Sequence, residues 1–471
     1  MKTKNEVRLR VMGAAQSVTG SRHLLETPEG NFLIDCGLFQ GLKELSLKNR
    51  ADFPVEPSSI LAVILTHAHL DHCGYLPLLV KNGFRGKIYM TPPTKELAEL
   101  ILLDSAKIQE EEAELANRLQ YTRHKPALPL YTTADVEACF PLFTTVEHSA
   151  SMRLSESTCF EFRKAGHILG AASIVMHCYD KVLVFAGDIG RQQSAMLFPP
   201  APLPAADIVV MESTYGDREH GNVDSLEQLE SIVNEAVQTD GNVLIPSFAV
   251  GRAQEVMLLL NRLRMERKIP YWLPFFLDSP MAADATDILC RYHRWHRLNH
   301  QECVGICKDV VINRSHEGTQ RVLYAQGEYH SSKVMIAASG MMTGGRVLEY
   351  LRHYVTHENN TILHIGYQAE GTRGRALQEG AKEIKIWGKY YPVEANVINL
   401  TGLSAHAGQS ELLHWLRQFL SAKPKVFLVH GEVNAQQVLA LKIQMELGLD
   451  VQIPLENQSI TLFKIHQYEP A

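Results

Sequence analysis

The chain has 471 residues, of which 45% are hydrophobic and 21% are charged, and its formal net charge is −6. This length has room for two or more domains with large hydrophobic cores. The negative net charge excludes a global electrostatic footprint for nucleic acid or for an anionic membrane, although a local basic cleft is compatible with it.

The sequence also indicates the compartment. A run of about 18 apolar residues, the length of a membrane span, is absent, and residues 1–6 do not lead into a signal-like apolar run. The eight cysteines are scattered without a CxxC pair, which is typical of free thiols in a reducing compartment. We therefore expect a cytoplasmic protein with no membrane partner.

The first third of the chain predicts strands followed by helices. Residues 7–13 alternate as a strand, and residues 31–37 form a second strand that ends with Asp35 before a glycine turn. The apolar run 60–65 predicts a fully buried strand. Helices are predicted over 96–103 and 105–119, the second charged on one face and therefore at the surface.

The strongest motif is THAHLDHCG at residues 66–74, directly after the buried strand. Loops that leave a rigid scaffold are where catalytic groups tend to lie. Alternation along this loop can direct His67 and His69 to one metal ion, and Asp71 and His72 to a second. Imidazole and carboxylate are good ligands for zinc and its first-row neighbours. The motif therefore predicts a metal site.

Three further candidate ligands follow strand-like runs elsewhere in the chain. His167 follows the strand pattern at 160–163, Asp188 follows the apolar run 182–184, and His430 follows 426–429. Any one of them alone is more typical of a structural residue. Together with the histidine-rich loop, they predict one composite site.

This set of motifs resembles the metallo-β-lactamase fold, in which an HxHxDH loop is completed by a distant histidine, a distant aspartate and a final histidine. The resemblance implies an α/β protein with an αββα sandwich and two zinc ions. It assigns one ion to His67, His69, His167 and Asp188, and the other to Asp71, His72, His430 and a shared oxygen of Asp188. Asp35 is implied to support the metal loop without binding metal.

A proline-rich linker at 199–204 and a buried strand at 208–212 introduce a different pattern. Strands and helices then alternate, which predicts a parallel sheet covered by helices. The predicted helices are 225–237, 253–265, 283–292 and 346–354, and the predicted strands are 242–246, 275–277, 333–338 and 361–365. We place the domain boundaries at 1–214, 215–394 and 395–471, with the middle segment as an inserted domain.

Loops at the predicted strand ends combine glycines with arginines, as in SFAVGRAQE (247–255) and SGMMTGGR (339–346). Such loops suit phosphate contacts at helix N-termini, and the alternative is a glycine turn that caps a helix. They resemble the inserted domain of the β-CASP enzymes, a nucleic-acid-directed group of the metallo-β-lactamase fold, and the resemblance covers nearly the whole chain. Arg252 and Arg346 are the candidate phosphate contacts.

Two residues carry the β-CASP resemblance further. Glu212, at the end of the 208–212 strand, matches the acidic motif of the group, and His406 in LSAHAG matches its histidine motif. The third motif position of the group falls on His430. A histidine at this position resembles the RNA-directed branch, since DNA-directed members typically have another residue there. Without an RNase J-type C-terminal domain or N-terminal KH modules, the sequence most resembles the short bacterial RNA-degradation enzymes.

The resemblance implies a ribonuclease for single-stranded RNA that leaves 5′-phosphate and 3′-hydroxyl ends. The catalytic residues are expected to be Asp71, Glu212 and His406, with His406 as the general acid oriented by Glu212. The amide groups around Ser404 are expected to hold a phosphate oxygen. Endonucleolytic cleavage is favoured, 5′-exonucleolytic cleavage stays open, and a homodimer is possible.

Two other functions are compatible with parts of the sequence. A metallo-β-lactamase core can hydrolyse a small thioester or lactam, as in glyoxalase II-like enzymes, and some subunits of this family are catalytically silent scaffolds. The phosphate-suited loops argue against the first, and the complete ligand set argues against the second. The basic-aromatic run 291–297 suggests RNA contact, but helical periodicity favours inward packing of Tyr292 and Trp295.

Overall fold

The computed structural model describes residues 5–120, 125–220, 225–324 and 332–465. The chain forms two compact units. The sandwich unit comprises Met1–Ser194, Phe198–Glu219 and His406–Ala471, and the inserted unit comprises Ala195–Leu197 and His220–Ala405. The inserted unit thus extends beyond the predicted 215–394 at its C-terminal end, because the strand Asn396–Leu400 pairs with its sheet.

The strands have the following bounds in chain order: β1 Glu6–Gly13, β2 Arg22–Thr27, β3 Gly30–Ile34, β4 Ile60–Ile64, β5 Lys87–Met90, β6 Phe143–Thr145, β7 Met152–Arg153, β8 Thr158–Lys164, β9 Ala172–Cys178, β10 Lys181–Phe185, β11 Ile208–Glu212, β12 Val243–Pro246, β13 Phe275–Asp278, β14 Val311–Asn313, β15 Val334–Ala337, β16 Thr361–Ile365, β17 Glu383–Ile386, β18 Lys389–Pro392, β19 Asn396–Leu400, β20 Lys425–Val429, β21 Val451–Gln452 and β22 Ser459–Lys464.

The α-helices have the following bounds: α1 Lys43–Leu47, α2 Leu70–Cys73, α3 Leu76–Lys81, α4 Pro92–Leu119, α5 Thr133–Glu137, α6 Ser225–Gln238, α7 Arg252–Met265, α8 Pro280–Arg291, α9 His300–Lys308, α10 His316–Tyr324, α11 Val347–Tyr354, α12 Arg373–Gln378, α13 Gln409–Arg417 and α14 Val433–Lys442. Short 3₁₀ turns lie at Lys48–Arg50, Pro57–Ser59, Phe140–Leu142 and Thr401–Leu403, and a π-helical turn at Ile443–Leu447 follows α14.

The sandwich unit contains two seven-stranded sheets, in the orders β22-β1-β2-β3-β4-β5-β6 and β21-β20-β11-β10-β9-β8-β7. Buried side chains from both sheets, including Phe32 and Phe160, share one hydrophobic core. Helices α13 and α14 contribute Leu412 and Leu439 to a second core on the outer face of the second sheet. This arrangement confirms the predicted αββα sandwich.

Parallel pairing gathers strand ends at one edge of each sheet in the sandwich unit. Strands β3 and β4 are parallel neighbours, and so are β10, β11 and β20. Because parallel strands present their carboxyl ends to the same edge, residues that follow these strands are brought together despite their separation in sequence.

The inserted unit is built on a six-stranded sheet in the order β14-β13-β15-β12-β16-β19, with parallel pairing throughout. Side chains of β12, β13, β15 and α11 form its core, among them Leu244, Phe276 and Leu351. The antiparallel hairpin β17–β18 packs Ile384 and Ile386 against the same core. This unit confirms the predicted parallel sheet flanked by helices.

Two local predictions differ from the structure. The two helices predicted over 96–103 and 105–119 are the single helix α4, because buried Ile101, Leu102 and Ala106 continue one packed face through the predicted break. Of the basic-aromatic run 291–297, only Arg291 is helical, because α8 ends there. Elements α9, β14 and α10 were not predicted. Among the described residues, no helix is both long and apolar enough to cross a membrane.

Candidate metal centre

The predicted ligands lie where strands of the sandwich unit end. His67 and His69 follow β4, and Asp71 and His72 lie in the one-turn helix α2. His167 follows β8, Asp188 follows β10, and His430 follows β20. His430 has a φ of 49°, in the left-handed region that non-glycine residues seldom adopt, and such backbone strain is frequent at functional sites.

A first group of four residues could hold one metal ion. His67, His69, His167 and Asp188 each offer a ligand atom, and these atoms all lie within 4.8 Å of one another. Nδ1 of His69 lies 3.1 Å from Nε2 of His67 and 3.2 Å from Nε2 of His167. The group matches the first predicted ligand set.

A second group contains Asp71, His72 and His430, whose ligand atoms also lie within 4.8 Å of one another. Nε2 of His430 lies 3.3 Å from Oδ2 of Asp71, and Nε2 of His72 lies 3.9 Å from the same oxygen. This group matches the remaining predicted ligands.

Asp188 faces both groups through different oxygens. Its Oδ2 lies 3.4 Å from Nε2 of His67 and 3.4 Å from Nε2 of His167. Its Oδ1 lies 3.4 Å from Nε2 of His72 in the second group. A carboxylate in this position can bridge two ions.

Three imidazole rings have their orientation fixed by oxygen partners on Nδ1. Nδ1 of His72 donates to Oδ2 of Asp35 at 2.7 Å, that of His67 lies 3.1 Å from Oγ1 of Thr66, and that of His430 lies 3.1 Å from Oγ1 of Thr214. A partner on one ring nitrogen leaves the other nitrogen as the metal ligand and holds the ring in place. In all three rings, Nε2 is therefore the atom presented to the centre.

Besides orienting His72, Asp35 also holds the backbone of the metal loop. Its Oδ1 accepts hydrogen bonds from the backbone N–H of Thr66 at 2.8 Å and from the Thr66 hydroxyl at 3.0 Å. Asp35 itself has a φ of 59° directly after β3. These contacts place it where the predicted supporting residue should be.

The chemistry of the donors fits a metal ion. Burial lowers the pKa of His67 well below its ordinary value and that of His69 to about 4, so both rings are neutral at pH 7, as ligation requires. Nε2 of His72 and Oδ1 of Asp188 are buried, lie 3.4 Å apart and make no hydrogen bond of good geometry among the described residues. Because burying polar atoms unpaired is costly, their convergence indicates that a cation satisfies them.

A third group joins Asp188 to Glu212 and His406. Nδ1 of His406 donates to the Glu212 carboxylate, 3.0 Å from each oxygen, while its Nε2 lies 4.0 Å from Oδ2 of Asp188. Glu212 is buried and also accepts from the backbone N–H of Ile189 at 2.7 Å. The pair thus holds a histidine ring with one nitrogen directed at the ligand groups.

The protonation of His406 is set by two opposing effects. Burial lowers its pKa, but the carboxylates of Glu212 and Asp188 outweigh burial and raise the pKa to about 9. The neighbouring side chains therefore favour the cationic form of His406, with a proton on both ring nitrogens, at neutral pH.

The predicted phosphate contacts lie in the inserted unit, and their side chains have internal partners there. Arg252 is buried and donates to the Glu255 carboxylate and to the carbonyl of Leu403, next to the buried Ser404. Arg346 donates to Oδ1 of Asp278 at 2.6 Å. Whether any of the three contacts phosphate stays a prediction.

Sequence reasoning missed three supporting residues. Thr66 and Thr214 orient the imidazole rings of candidate ligands. The sequence signal that could have identified them is a polar residue directly after a predicted strand. Gly37 lies against the metal loop, where an added Cβ would come within 1.6 Å of the carbonyl oxygen of Asp71. Glycine is the residue that allows this close approach.

Three family models match the chain. They are the metallo-beta-lactamase superfamily at residues 20–142, the Beta-Casp domain at residues 253–377 and the Zn-dependent metallo-hydrolase RNA specificity domain at residues 390–454.

Relatives match over most of the chain. Ribonuclease TTHA0252 from Thermus thermophilus is 35% identical over 92% of this chain and 95% of its own length. The RNase J-like protein from Methanocaldococcus jannaschii is 30% identical over 95% of this chain and 98% of its own. Transcription termination factor FttA from the same organism is 32% identical over 90% of this chain and 67% of its own.

Among solved structures, a protein of unknown function from Enterococcus faecalis V583 has a TM-score of 0.52 at 12% identity and matches 97% of this chain and all of its own. That likeness concerns the fold alone.

The sandwich and its paired ligand groups define a metal-dependent hydrolase of the metallo-β-lactamase superfamily. Within that superfamily, the chain belongs to the β-CASP family. Both parts of the predicted resemblance are confirmed.

Proposed function

We propose that this protein is a two-zinc ribonuclease that hydrolyses phosphodiester bonds of single-stranded RNA, with endonucleolytic cleavage favoured. The observation that carries the proposal is the position of Asp188, whose two oxygens face two separate groups of histidines beside the Glu212–His406 pair. The ribonuclease names of the relatives and the RNA specificity domain support RNA as the substrate.

We assign one ion to each ligand group. His67, His69, His167 and Asp188 would hold one, and Asp71, His72, His430 and the second oxygen of Asp188 would hold the other. Bound zinc ions supply a water nucleophile at neutral pH and stabilise the charge that builds on a phosphodiester. Asp71 thus acts in catalysis as a ligand, and Asp35 acts through the orientation of His72.

His406 supplies the proton that the leaving group needs. As the bond between phosphorus and the 3′-oxygen breaks, Nε2 of His406 donates its proton to that oxygen, while Glu212 stabilises the ring through Nδ1. Water adds to phosphorus in the same reaction, so the products carry a 5′-phosphate and a 3′-hydroxyl. The proton on His406 is favoured by its two carboxylate neighbours.

The proposed RNA contacts are residues of the inserted unit. Ser404, Arg252 and Arg346 are proposed to contact RNA phosphate, directly or by fixing the loops that do so. Arg252 suits the indirect role because it is bonded to the carbonyl that precedes Ser404. The enzyme is proposed to act in the cytoplasm, and a homodimer stays a prediction.

Two alternatives are less well supported. A glyoxalase II-like hydrolase of small molecules does not require an inserted unit of this size or an RNA specificity domain. A silent scaffold subunit does not require a complete pair of ligand groups.

The test is cleavage of circular single-stranded RNA by the zinc-loaded protein. An endonuclease converts the circle to linear fragments, and end analysis should find 5′-phosphate and 3′-hydroxyl groups. A circle that stays intact while the linear form of the same sequence is degraded would replace endonuclease with 5′-exonuclease. Equal cleavage of RNA and DNA of one sequence would overturn the RNA assignment.

A further inference from the structure

The tip of the β17–β18 hairpin has an unusual backbone. The register pairs Ile386 with Lys389, which leaves Trp387 and Gly388 as a two-residue turn with φ values of 47° and 83°. Positive φ at both positions is the type I′ pattern, for which Asn-Gly is the favoured sequence. A bulky tryptophan at the first position is a conformational outlier, and such strain often marks a functional position.

The hairpin separates an anchored face from an exposed aromatic tip. Ile384 and Ile386 are 4% and 0% exposed and pack in the core of the inserted unit. In contrast, Trp387 is 55% exposed and Tyr390 is 61% exposed. The strain at Trp387 therefore does not serve core packing, because it holds an aromatic ring in solvent.

Cations accompany these rings. The Arg352 guanidinium lies 5.4 Å from the ring centre of Trp387, and Nζ of Lys385 lies 5.4 Å from that of Tyr390. Lys389, at the start of β18, is exposed. In a chain with a net charge of −6, this is a local concentration of positive charge and exposed aromatic surface.

The hairpin is fixed to a loop at the carboxyl edge of the parallel sheet. Nε of Arg373 donates to the carbonyl of Lys385 at 2.7 Å, and its Nη1 donates to the carbonyls of Met342 and Thr343 at 3.0 and 3.1 Å. Met342 and Thr343 lie in the loop that leaves the carboxyl end of β15. Ligands of parallel sheets bind at that edge.

From these observations we propose that the hairpin tip is a stacking site for bases of single-stranded RNA, with Trp387 and Tyr390 as the platforms. The inference rests on the proposed function, since it takes RNA as the substrate. Exposed rings stack on bases of any sequence, and neighbouring cations attract the phosphates between them. RNA is favoured over a protein partner by Lys385 and Lys389 at this tip, because lysine is depleted in protein–protein interfaces but attracts phosphates.

The test variant is Trp387→Asn, which removes the ring and places the favoured Asn-Gly sequence in the turn. Binding of a fluorescent oligoadenylate of about 20 nucleotides is measured by anisotropy in a His406→Ala background, to slow cleavage. The dissociation constant should rise about tenfold, which corresponds to the loss of one stacked base. The melting temperature should be equal or higher.

Matched variants separate stacking from charge and from folding. Trp387→Phe should bind within about threefold of the parent because it keeps a ring. Tyr271→Ala, at an aromatic residue of the same unit that is 84% exposed, should bind like the parent.

Lys389→Gln should reduce the slope of log affinity against log salt by about one, whereas Trp387→Asn should leave that slope unchanged. Tyr390→Thr, which suits a strand, is a second route to removing a platform.

The outcomes distinguish the two proposals. Parent-like binding by both Trp387→Asn and Tyr390→Thr would overturn the stacking site, even if the wild-type protein cleaves RNA. A wild-type protein that binds the oligonucleotide through Trp387 but never cleaves RNA would instead overturn the proposed function and leave the binding site standing.

Discussion

Two buried carboxylates, one in each unit, show how similar positions acquire different roles. Asp188 follows β10 and is 2% exposed, and Asp278 ends β13 and is 1% exposed. The oxygens of Asp278 accept from Arg346, Asn313, Thr319 and Tyr350. Those of Asp188 face imidazole nitrogens, and its Oδ1 makes no hydrogen bond of good geometry among the described residues.

The two carboxylates differ in whether hydrogen-bond donors of the protein satisfy their oxygens. A buried carboxylate whose oxygens are all bonded stabilises its fold and needs no ligand. One whose oxygens converge with several imidazole nitrogens is suited to share a cation with them. On this comparison, the environment of a buried carboxylate separates a metal ligand from a structural anchor, although both stand at strand ends.

The largest expected effect comes from exchanging the two carboxylates for amides. Asp188→Asn should lose both metal ions and reduce RNA cleavage to the uncatalysed background while the melting temperature stays near that of the wild type. Asp278→Asn should keep both ions and lose stability, because it removes the anion that pairs with Arg346. Elemental analysis and thermal melting of both variants test the comparison, and full metal content in Asp188→Asn would break it.

The next largest effect is expected at His406. His406→Ala should keep both ions yet lower kcat by roughly 10²–10⁴-fold, since the residue is proposed as the acid and not as a ligand. A substrate with an activated leaving group, which needs no proton, should recover part of that loss. No recovery at all would mean that His406 binds phosphate and does not donate a proton.

A smaller effect is expected at Asp35, which contacts the candidate ligand His72 and is not itself proposed to bind an ion. Asp35→Asn should weaken metal affinity by roughly 10–100-fold, because it alters the partner that orients His72 and the metal loop. Thr66→Ser keeps the hydroxyl that bonds Asp35 and serves as the control. Competition with a zinc chelator gives the affinities, and wild-type affinity in Asp35→Asn would remove Asp35 from the supporting role.

The smallest effect on activity is expected at Arg346. Arg346→Ala should lower the free energy of unfolding by about 3 kcal/mol, because it breaks the partly buried ion pair between Arg346 and Asp278. If the residue only anchors Asp278, the dependence of RNA binding on salt should not change. A slope reduced by about one would instead support the phosphate contact proposed from the sequence.

Local motifs made the candidate metal ligands predictable, whereas contacts that depend on long-range strand pairing were not predictable from the sequence. His67, His167 and His430 each follow a recognisable strand, so their chemistry and position were both visible in the sequence. The partners of Arg346 were not visible, because Asp278 and Asn313 are brought together only by the parallel pairing of β13 with β14. The phosphate contact of Arg346 therefore stays a prediction, to which the structure adds an internal ion pair with Asp278.

The missed elements have a related explanation. Helix α9 is short and weakly amphipathic, so its periodicity gave no signal, although Asn299 and Glu302 form a capping box that marks its start. The split predicted within α4 had the opposite cause, since burial of one continuous face outweighed the weak helix preference of Asp104 and Ser105.

Counting bound metal ions is the decisive test of whether Asp188 joins two separate ion sites. Elemental analysis of zinc-reconstituted wild-type protein should give two ions per chain. His430→Ala, which removes a ligand from the second group only, should give one ion per chain and lose most activity while keeping its fold. One ion per chain in an active wild-type protein would contradict the two-ion account.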